Sequence, residues 1–325
     1  MTAWDNADGV VVATALPYTP RVGSPADLRV DFDRYARHCD WLVSEGCRGV
    51  VPNSALGEFG SLTPLERRMV TRTAVEALGG RGTVLAGVHD VGSHQVVEWS
   101  WQAAEDGADA LICMPPVSHQ PTMSEVLRHF EAVASVGLPV VVCNNPAVAR
   151  IDLRPSVLAE IAAMDNVVGV SDSSGDLGRL HRIRRLAPTV KVFAGGDLTV
   201  VENLLSGAEG WVAALPNVFP GDCVRLFDLI ASGHLVEAQE LREVLAASLR
   251  WESRSTFVQM IKFGMDYRGR YGGPCRPPRH PLPAEFVADA HRDVQVVSRY
   301  LEAREVRAGR GLGRMPGFAD GAVQD

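Results

Sequence analysis

The sequence predicts an α/β protein, a (β/α)8 TIM barrel carrying a C-terminal helical appendix. Three observations lead there. Short apolar, β-branched runs recur along the chain, segments with helical periodicity separate them, and the stretch after the eighth run is too long for one closing barrel helix.

In order, the expected strands are VVVATA (10–15), GVV (49–51), TVLAG (83–87), ALICM (110–114), PVVVC (139–143), NVVGV (166–170), VFAG (192–195) and WVAA (211–214). Each is four to six residues or shorter and unbroken by charge, as a strand buried on both faces must be. Two of the intervening helices announce their starts. Thr63-Pro-Leu-Glu66 and Thr122-Met-Ser-Glu125 match the capping box, the first with proline at the opening helical position. Residues 1–221 are therefore expected to form the barrel. Residues 222–305 supply its last helix and the appendix, with helices over 222–234, 235–250, 253–268 and 284–305. Residues 306–325, Gly-rich and unpatterned, are expected to be a disordered tail.

Composition narrows the function. With 46% hydrophobic and 22% charged residues, the chain reads as an ordinary globular protein. Its net charge of −7 is spread without a basic block, which argues against nucleic acid or an anionic membrane surface as partner. A small-molecule substrate is left. No apolar stretch is long enough to span a bilayer, and the N-terminal segment places acids before its apolar run, unlike a signal peptide. Cys39, Cys47, Cys113, Cys143, Cys223 and Cys275 are scattered without CxxC pairs, so reduced thiols and a cytoplasmic location are expected, with no cofactor and no metal.

In such a barrel the working residues stand at the C-terminal ends of the strands. Glu58, between glycines in SALGEFG, is the leading acid, with a carboxylate tied to loop amides as the structural alternative. His89 follows the third strand and could hydrogen-bond a substrate. Together with Asp90, His94 and Asp172 it could instead serve a metal-dependent lyase, although the spacing matches no ligand motif. Of Asn144 and Asn145 at the fifth tip, one could read a substrate carboxylate or carbonyl while the other ties down the turn, and Cys143 beside them reads as a buried thiol rather than a nucleophile. Ser171 and Asp172 end the sixth strand. Ser171 lacks a GxSxG context, which argues against a serine nucleophile, and strand alternation would turn Asp172 away from it. Ser54 and Gly195, at the second and seventh tips, complete the expected binding residues.

The stretches GEFGSLTPLERRMV, GADALICMPP, PVVVCNNPAVARIDL, NVVGVSDSSGDLGRL, FAGGD, GAEGWVAALPNVFP and KFGMDYRGRYGGPCRPPRHPL, taken in order from about Gly9 to Leu301, resemble the dihydrodipicolinate synthase / N-acetylneuraminate lyase family. These are class I aldolase-type barrels, and the LGE and NNP forms look most like the branch of deaminases and dehydratases of small cyclic or keto acids. The resemblance implies a lysine at the sixth tip that forms a Schiff base with the substrate ketone, where this chain has Ser171. It implies a tyrosine proton shuttle where this chain has Cys143, and paired hydroxyls for a substrate carboxylate where it has Ala55 and Leu56. Only Lys191 and Lys262 occur in the chain, against 30 arginines, and neither falls at a strand tip. A homodimer or homotetramer is implied too, packed in part through the fourth-tip loop CMPPVSHQP.

The expectation is therefore a diverged lyase or cyclase acting on a small keto- or imino-acid-like metabolite without a lysine imine. A catalytically silent member that binds a metabolite or partners an active homologue is one alternative. A metal-dependent lyase is the other.

Overall fold

The computed structural model describes residues 7–21, 24–117 and 120–307. The chain runs β1 (Gly9–Ala13), β2 (Tyr18–Arg21), β3 (Ser24–Val30), α1 (Phe32–Ser44), β4 (Gly49–Val51), α2 (Pro64–Leu78), β5 (Thr83–Gly87), α3 (Ser93–Glu105), β6 (Ala110–Cys113), α4 (Met123–Ala134), β7 (Val140–Asn144) and α5 (Pro146–Ala149). It continues α6 (Pro155–Ala162), β8 (Val167–Asp172), α7 (Arg179–Leu186), β9 (Lys191–Ala194), α8 (Val200–Leu205), β10 (Gly210–Ala213), α9 (Pro220–Ala231), α10 (Leu235–Leu249), α11 (Phe257–Tyr267) and α12 (Ala284–Arg307). No helix among the described residues is long and apolar enough to cross a membrane.

β1 and β4 to β10 close into a parallel barrel in the order β1-β10-β9-β8-β7-β6-β5-β4, and the ends meet through Val11 opposite both Gly49 and Val212. All eight apolar runs thus become barrel strands, shifted by at most two residues at their ends. Alternation sorts their side chains into two cores. Val11, Val51, Leu85, Ile112, Val141 and Phe193 fill the barrel, while Val10, Val12, Val50, Val84, Leu111, Val142 and Val170 pack outward on the helices. Both capping boxes form, at Thr63 with Glu66 and at Thr122 with Glu125. The second strand lies so close to the third that a Cβ on Gly49 would fall 2.2 Å from the Thr83 carbonyl oxygen.

Three features depart from the sequence reading. The segment after β1 is an antiparallel hairpin, β2 with β3, that the Pro- and Gly-containing run YTPRVGSPADLRV did not announce. The helix expected over 253–268 is shorter, because a 3-10 turn at Arg250–Ser253 intervenes and α11 begins at Phe257. The last appendix helix continues to Arg307, past the start expected for the tail; the rest of that tail, like residues 118–119 of the CMPPVSHQP loop, lies outside the described residues.

A buried ion pair fastens the appendix to the barrel. Lys262 on α11 meets Glu58 of the loop after β4 at 2.9 Å, with both side chains essentially inaccessible. Glu58 takes the left-handed conformation, φ 56°, that opens the 3-10 turn Phe59–Ser61. Its Oε2 accepts the Arg276 backbone N–H at 3.2 Å and lies 3.5 Å from the Arg279 guanidinium. The ammonium of Lys262 also donates to the Pro274 carbonyl at 2.8 Å and lies 4.4 Å from the centre of the Tyr18 ring. Arg276 in turn pairs with Glu66 of the first capping box and donates to the Leu28 carbonyl on β3. One cluster therefore ties α11, the hairpin and the start of α2 together.

Removing one member of a buried pair leaves the other charge without compensation, at about 3–5 kcal/mol. Glu58→Gln should lower the unfolding free energy by that amount in urea titration, and a loss below about 1 kcal/mol would show the pair to be energetically idle. Acid should act through the outer core. Burial pushes His38 and His129 down to about 4, so the folded state binds fewer protons than the unfolded one below the ordinary value of 6.5. Their contribution is intact above pH 6.5 and lost as pH falls through 4. Between these values the melting temperature of the wild type should fall more steeply than that of His129→Gln, and parallel curves would remove His129 from the acid response.

Candidate active site

A cavity of about 620 Å³, counted out to its open mouth, lies at the C-terminal ends of the barrel strands. Its polar lining comes from Ser54, His89, Cys143, Asn145, Ser171, Ser173, Asp197 and Glu252. Alternation decides which residue of each neighbouring pair reaches it. On β8, Ser171 lines the cavity and Asp172 does not; on β7, Cys143 does and Asn144 does not.

The residues turned away are bound into the scaffold. Asn144 donates to Asp172 at 2.6 Å and to Asp152 at 3.1 Å, and its own oxygen accepts the Leu153 N–H at 2.9 Å. Asp172 also accepts from the Ser174 hydroxyl at 2.6 Å, and burial raises its pKa above the usual carboxylate value. These two expected substrate ligands therefore join the β7 and β8 tips to each other, and this corrects the reading of them as binding residues. Glu58 is corrected in the same way. It is absent from the cavity lining and is held by Lys262, because the loop turns its carboxylate towards the appendix.

Of the residues turned inward, Ser171 is the spare one. Ser171 is fully buried, and its Oγ has no hydrogen-bond partner among the described residues. A Cβ on Gly195 would sit 2.8 Å from that oxygen and 2.5 Å from Ser173 Oγ, so only glycine at the β9 tip leaves this floor open. Ser54 Oγ accepts the Gly57 N–H at 3.2 Å while facing the cavity. Asn145 spends its side-chain oxygen on capping α5, at 3.3 Å from Val148 N. Cys143 is a poor nucleophile, since burial, with Asp172 nearby, pushes its thiol up to about 12.

His89 is neutral. Burial pushes it down to about 3, helped by the Arg67 guanidinium, and its Nδ1 accepts the Met114 N–H at 3.1 Å. The ring hydrogen therefore sits on Nε2, which makes His89 a hydrogen-bond donor rather than a proton carrier near neutrality. Asp90 is occupied by Arg67 at 3.0 Å and Trp99 at 2.7 Å. With Asp172 also turned away, the set His89, Asp90, His94 and Asp172 does not converge. No group of three or more His, Cys, Asp or Glu among the described residues is arranged to hold a metal ion.

Two carboxyls were missed by sequence reading. Asp197, after β9, accepts the N–H groups of Ala214 at 3.0 Å and Leu215 at 2.9 Å, one on each oxygen. Burial, followed by the charge of Glu252, pushes it up to about 8. Glu252, in the 3-10 turn of the appendix, places Oε2 on the N–H groups of Asp197 at 2.7 Å and Leu198 at 3.1 Å. Burial raises its pKa as well. The FAGGD motif pointed to Asp197, whereas Glu252 stands far along the chain from any strand tip, and its one signal was a carboxylate in the polar break RWESRST. No lysine or arginine lines the cavity among the described residues.

The chain has counterparts in sequence and in fold. Residues 8–296 match the model of the dihydrodipicolinate synthetase family. The chain is 30% identical over 277 residues to a 4-hydroxy-tetrahydrodipicolinate synthase of Methanoculleus marisnigri, covering 85% of this chain and 94% of that one. It is also 30% identical over 295 residues to the enzyme of that name from Rhodospirillum centenum, covering 90% and 99%. The solved 4-hydroxy-tetrahydrodipicolinate synthase of Methylacidiphilum fumariolicum superposes with a TM-score of 0.86 at 22% identity, over 92% of this chain and 98% of the other. A putative dihydrodipicolinate synthetase from Pseudomonas aeruginosa gives 0.84 at 26% identity, over 89% and 99%. With nearly the whole described fold matched, the chain belongs to the dihydrodipicolinate synthetase family of aldolase-like lyases.

Proposed function

We propose that this family member is a lyase or cyclase acting on a small keto- or imino-acid-like metabolite without forming a lysine imine. The observation that carries the reading is the cavity floor, where the β8 tip presents the unpartnered hydroxyl of Ser171 and no amine. An imine to the protein needs a lysine within reach of the substrate. Lys262 is locked against Glu58 and Pro274, and Lys191 opens β9 at the end of the barrel away from the cavity, 2.6 Å from Asp8. The remaining inward groups suit binding and charge stabilisation: neutral donors at Ser171, His89 and Asn145, and carboxyls at Asp197 and Glu252. Self-association of the kind the family resemblance implies belongs to the same reading, and a light-scattering mass near 35.0 kDa at micromolar concentration would count against it.

Borohydride reduction in the presence of pyruvate should leave the protein mass unchanged, since reduction fixes only an imine to lysine. An adduct on either lysine would refute the lysine-free reading. Ser171→Lys should gain a trapped adduct. Burial lowers the pKa of an amine placed there, while Asp197 and Glu252 oppose that fall, so trapping belongs near pH 9. Aldolase turnover should stay low even so, because Cys143 offers no phenol and Ala55 and Leu56 offer no side-chain donors for a carboxylate. Adding Cys143→Tyr, Ala55→Thr and Leu56→Thr should raise it by more than the separate effects combined. A folded Ser171→Lys protein without an adduct would show that the β8 tip does not face a substrate.

A further inference from the structure

The charges in the cavity narrow the substrate. The only ionisable groups that line it, apart from the neutral His89 and the thiol of Cys143, are Asp197 and Glu252, and no cation faces them among the described residues. Burial drives a proton onto Asp197, and a keto acid carrying one or two carboxylates would meet the charge that remains on the pair with no cation in the lining to compensate it, which opposes binding. A positively charged ligand would meet the opposite. Acidic side chains alone would say little, but the buried Ser171 Oγ is a second and independent sign of a ligand: a polar atom on the cavity floor with no partner among the described residues.

Resting on the lysine-free reading above, we infer that the cavity takes a substrate bearing a preformed iminium group and that Glu252 is the catalytic residue that accepts its α-proton. The geometry supports the role. Both N–H groups on Glu252 go to Oε2, which pins the carboxylate, while Oε1 makes no described hydrogen bond and lies against Gly196, where an added Cβ would come within 2.8 Å of it. Asp197 has both oxygens engaged by backbone amides and serves as the neighbouring support.

The step balances without a cofactor. The carbon–hydrogen bond beside the iminium breaks and its proton goes to Glu252 Oε1. Its electron pair forms the new carbon–carbon double bond, and the electrons of the carbon–nitrogen double bond settle on nitrogen, which gives a neutral enamine and a neutral carboxyl. Ser171 Oγ accepts the N–H of the iminium and holds it over the floor. The electron sink that a lysine imine would create is thus brought in by the substrate, and the enamine is the nucleophile for the bond-forming or bond-breaking step that follows.

The probe is 2-methyl-1-pyrroline, a cyclic imine that protonates, set against cyclopentanone as a neutral ring of similar size. Near neutral pH the wild type should bind the imine at least about tenfold more tightly by ligand-observed NMR, and should speed deuterium uptake into its methyl group above the rate in solution. General-base catalysis is typically worth about 10²–10⁴-fold, so Glu252→Gln should slow the enzymatic exchange by about 100-fold and remove the preference for the imine. If Glu252→Gln does not fold, Glu252→Asp takes its place and should lose about tenfold in exchange. Equal affinity for imine and ketone in the wild type, or full exchange in a folded Glu252 variant, would overturn the inference. A borohydride-trapped pyruvate adduct is the separate result that would overturn the lysine-free reading instead.

Discussion

Closure of the parallel barrel is the constraint on which the rest of this structure depends. Once β1 pairs with both β4 and β10, every strand has a fixed inner and outer face, and no residue at a tip can choose its side. Neighbours in sequence are thereby given opposite work. Cys143 and Ser171, directly paired across β7 and β8, face the cavity, while Asn144 and Asp172, the next pair in the same register, knit the two strand ends together. The rigid outer pair is what holds the inner pair in place. A site residue on a strand tip is only as well positioned as the neighbour that faces the other way.

The same division governs the buried charges. Lys262, Glu58, Arg276 and Glu66 are gathered where α11 meets the hairpin and the start of α2, and they neutralise one another. Asp197 and Glu252 are placed at the cavity, and no cation is supplied to them from the lining. Burial of an uncompensated carboxylate is costly, and the response is the one expected, a pKa pushed upward with part of the charge discharged by a proton. The structural charges are thus offset by opposite charges, and the cavity carboxyls by raised pKa values.

How much of this was legible in the sequence follows from the range of each signal. The strands could be read because each is a short continuous apolar run, and the two capped helix starts because capping is a four-residue pattern. The hairpin of β2 and β3 escaped because its turn residues resemble a loop until the partner strand is known. Of the residues expected from the strand ends, Ser171, Cys143, His89, Ser54, Asn145 and Gly195 line the cavity, because the strand ends surround its floor. Asn144 and Asp172 lie on the outer side by the same alternation, which continues to the last residue of β7 and of β8. Glu58 was misassigned for a different reason: its partner Lys262 lies some 200 residues away, and no local pattern reveals so distant a pairing. Glu252 was invisible for the same reason in reverse.

On the proposed reading, the hydroxyl at the β8 tip bears on more than the nucleophile. An ammonium or iminium at that position would stand within the same cavity as Asp197 and Glu252 and would offset their charge; a hydroxyl is neutral and offsets nothing. On the lysine-free reading proposed above, a hydroxyl in place of an ammonium leaves that pair without a compensating charge from the strand tip, and Gly195 keeps the floor open beside Ser171. On that proposal the cavity would disfavour anionic ketones and favour ligands that carry their own positive charge. Specificity is a difference between two binding energies, and the proposal places the sign of that difference on one residue of the barrel floor.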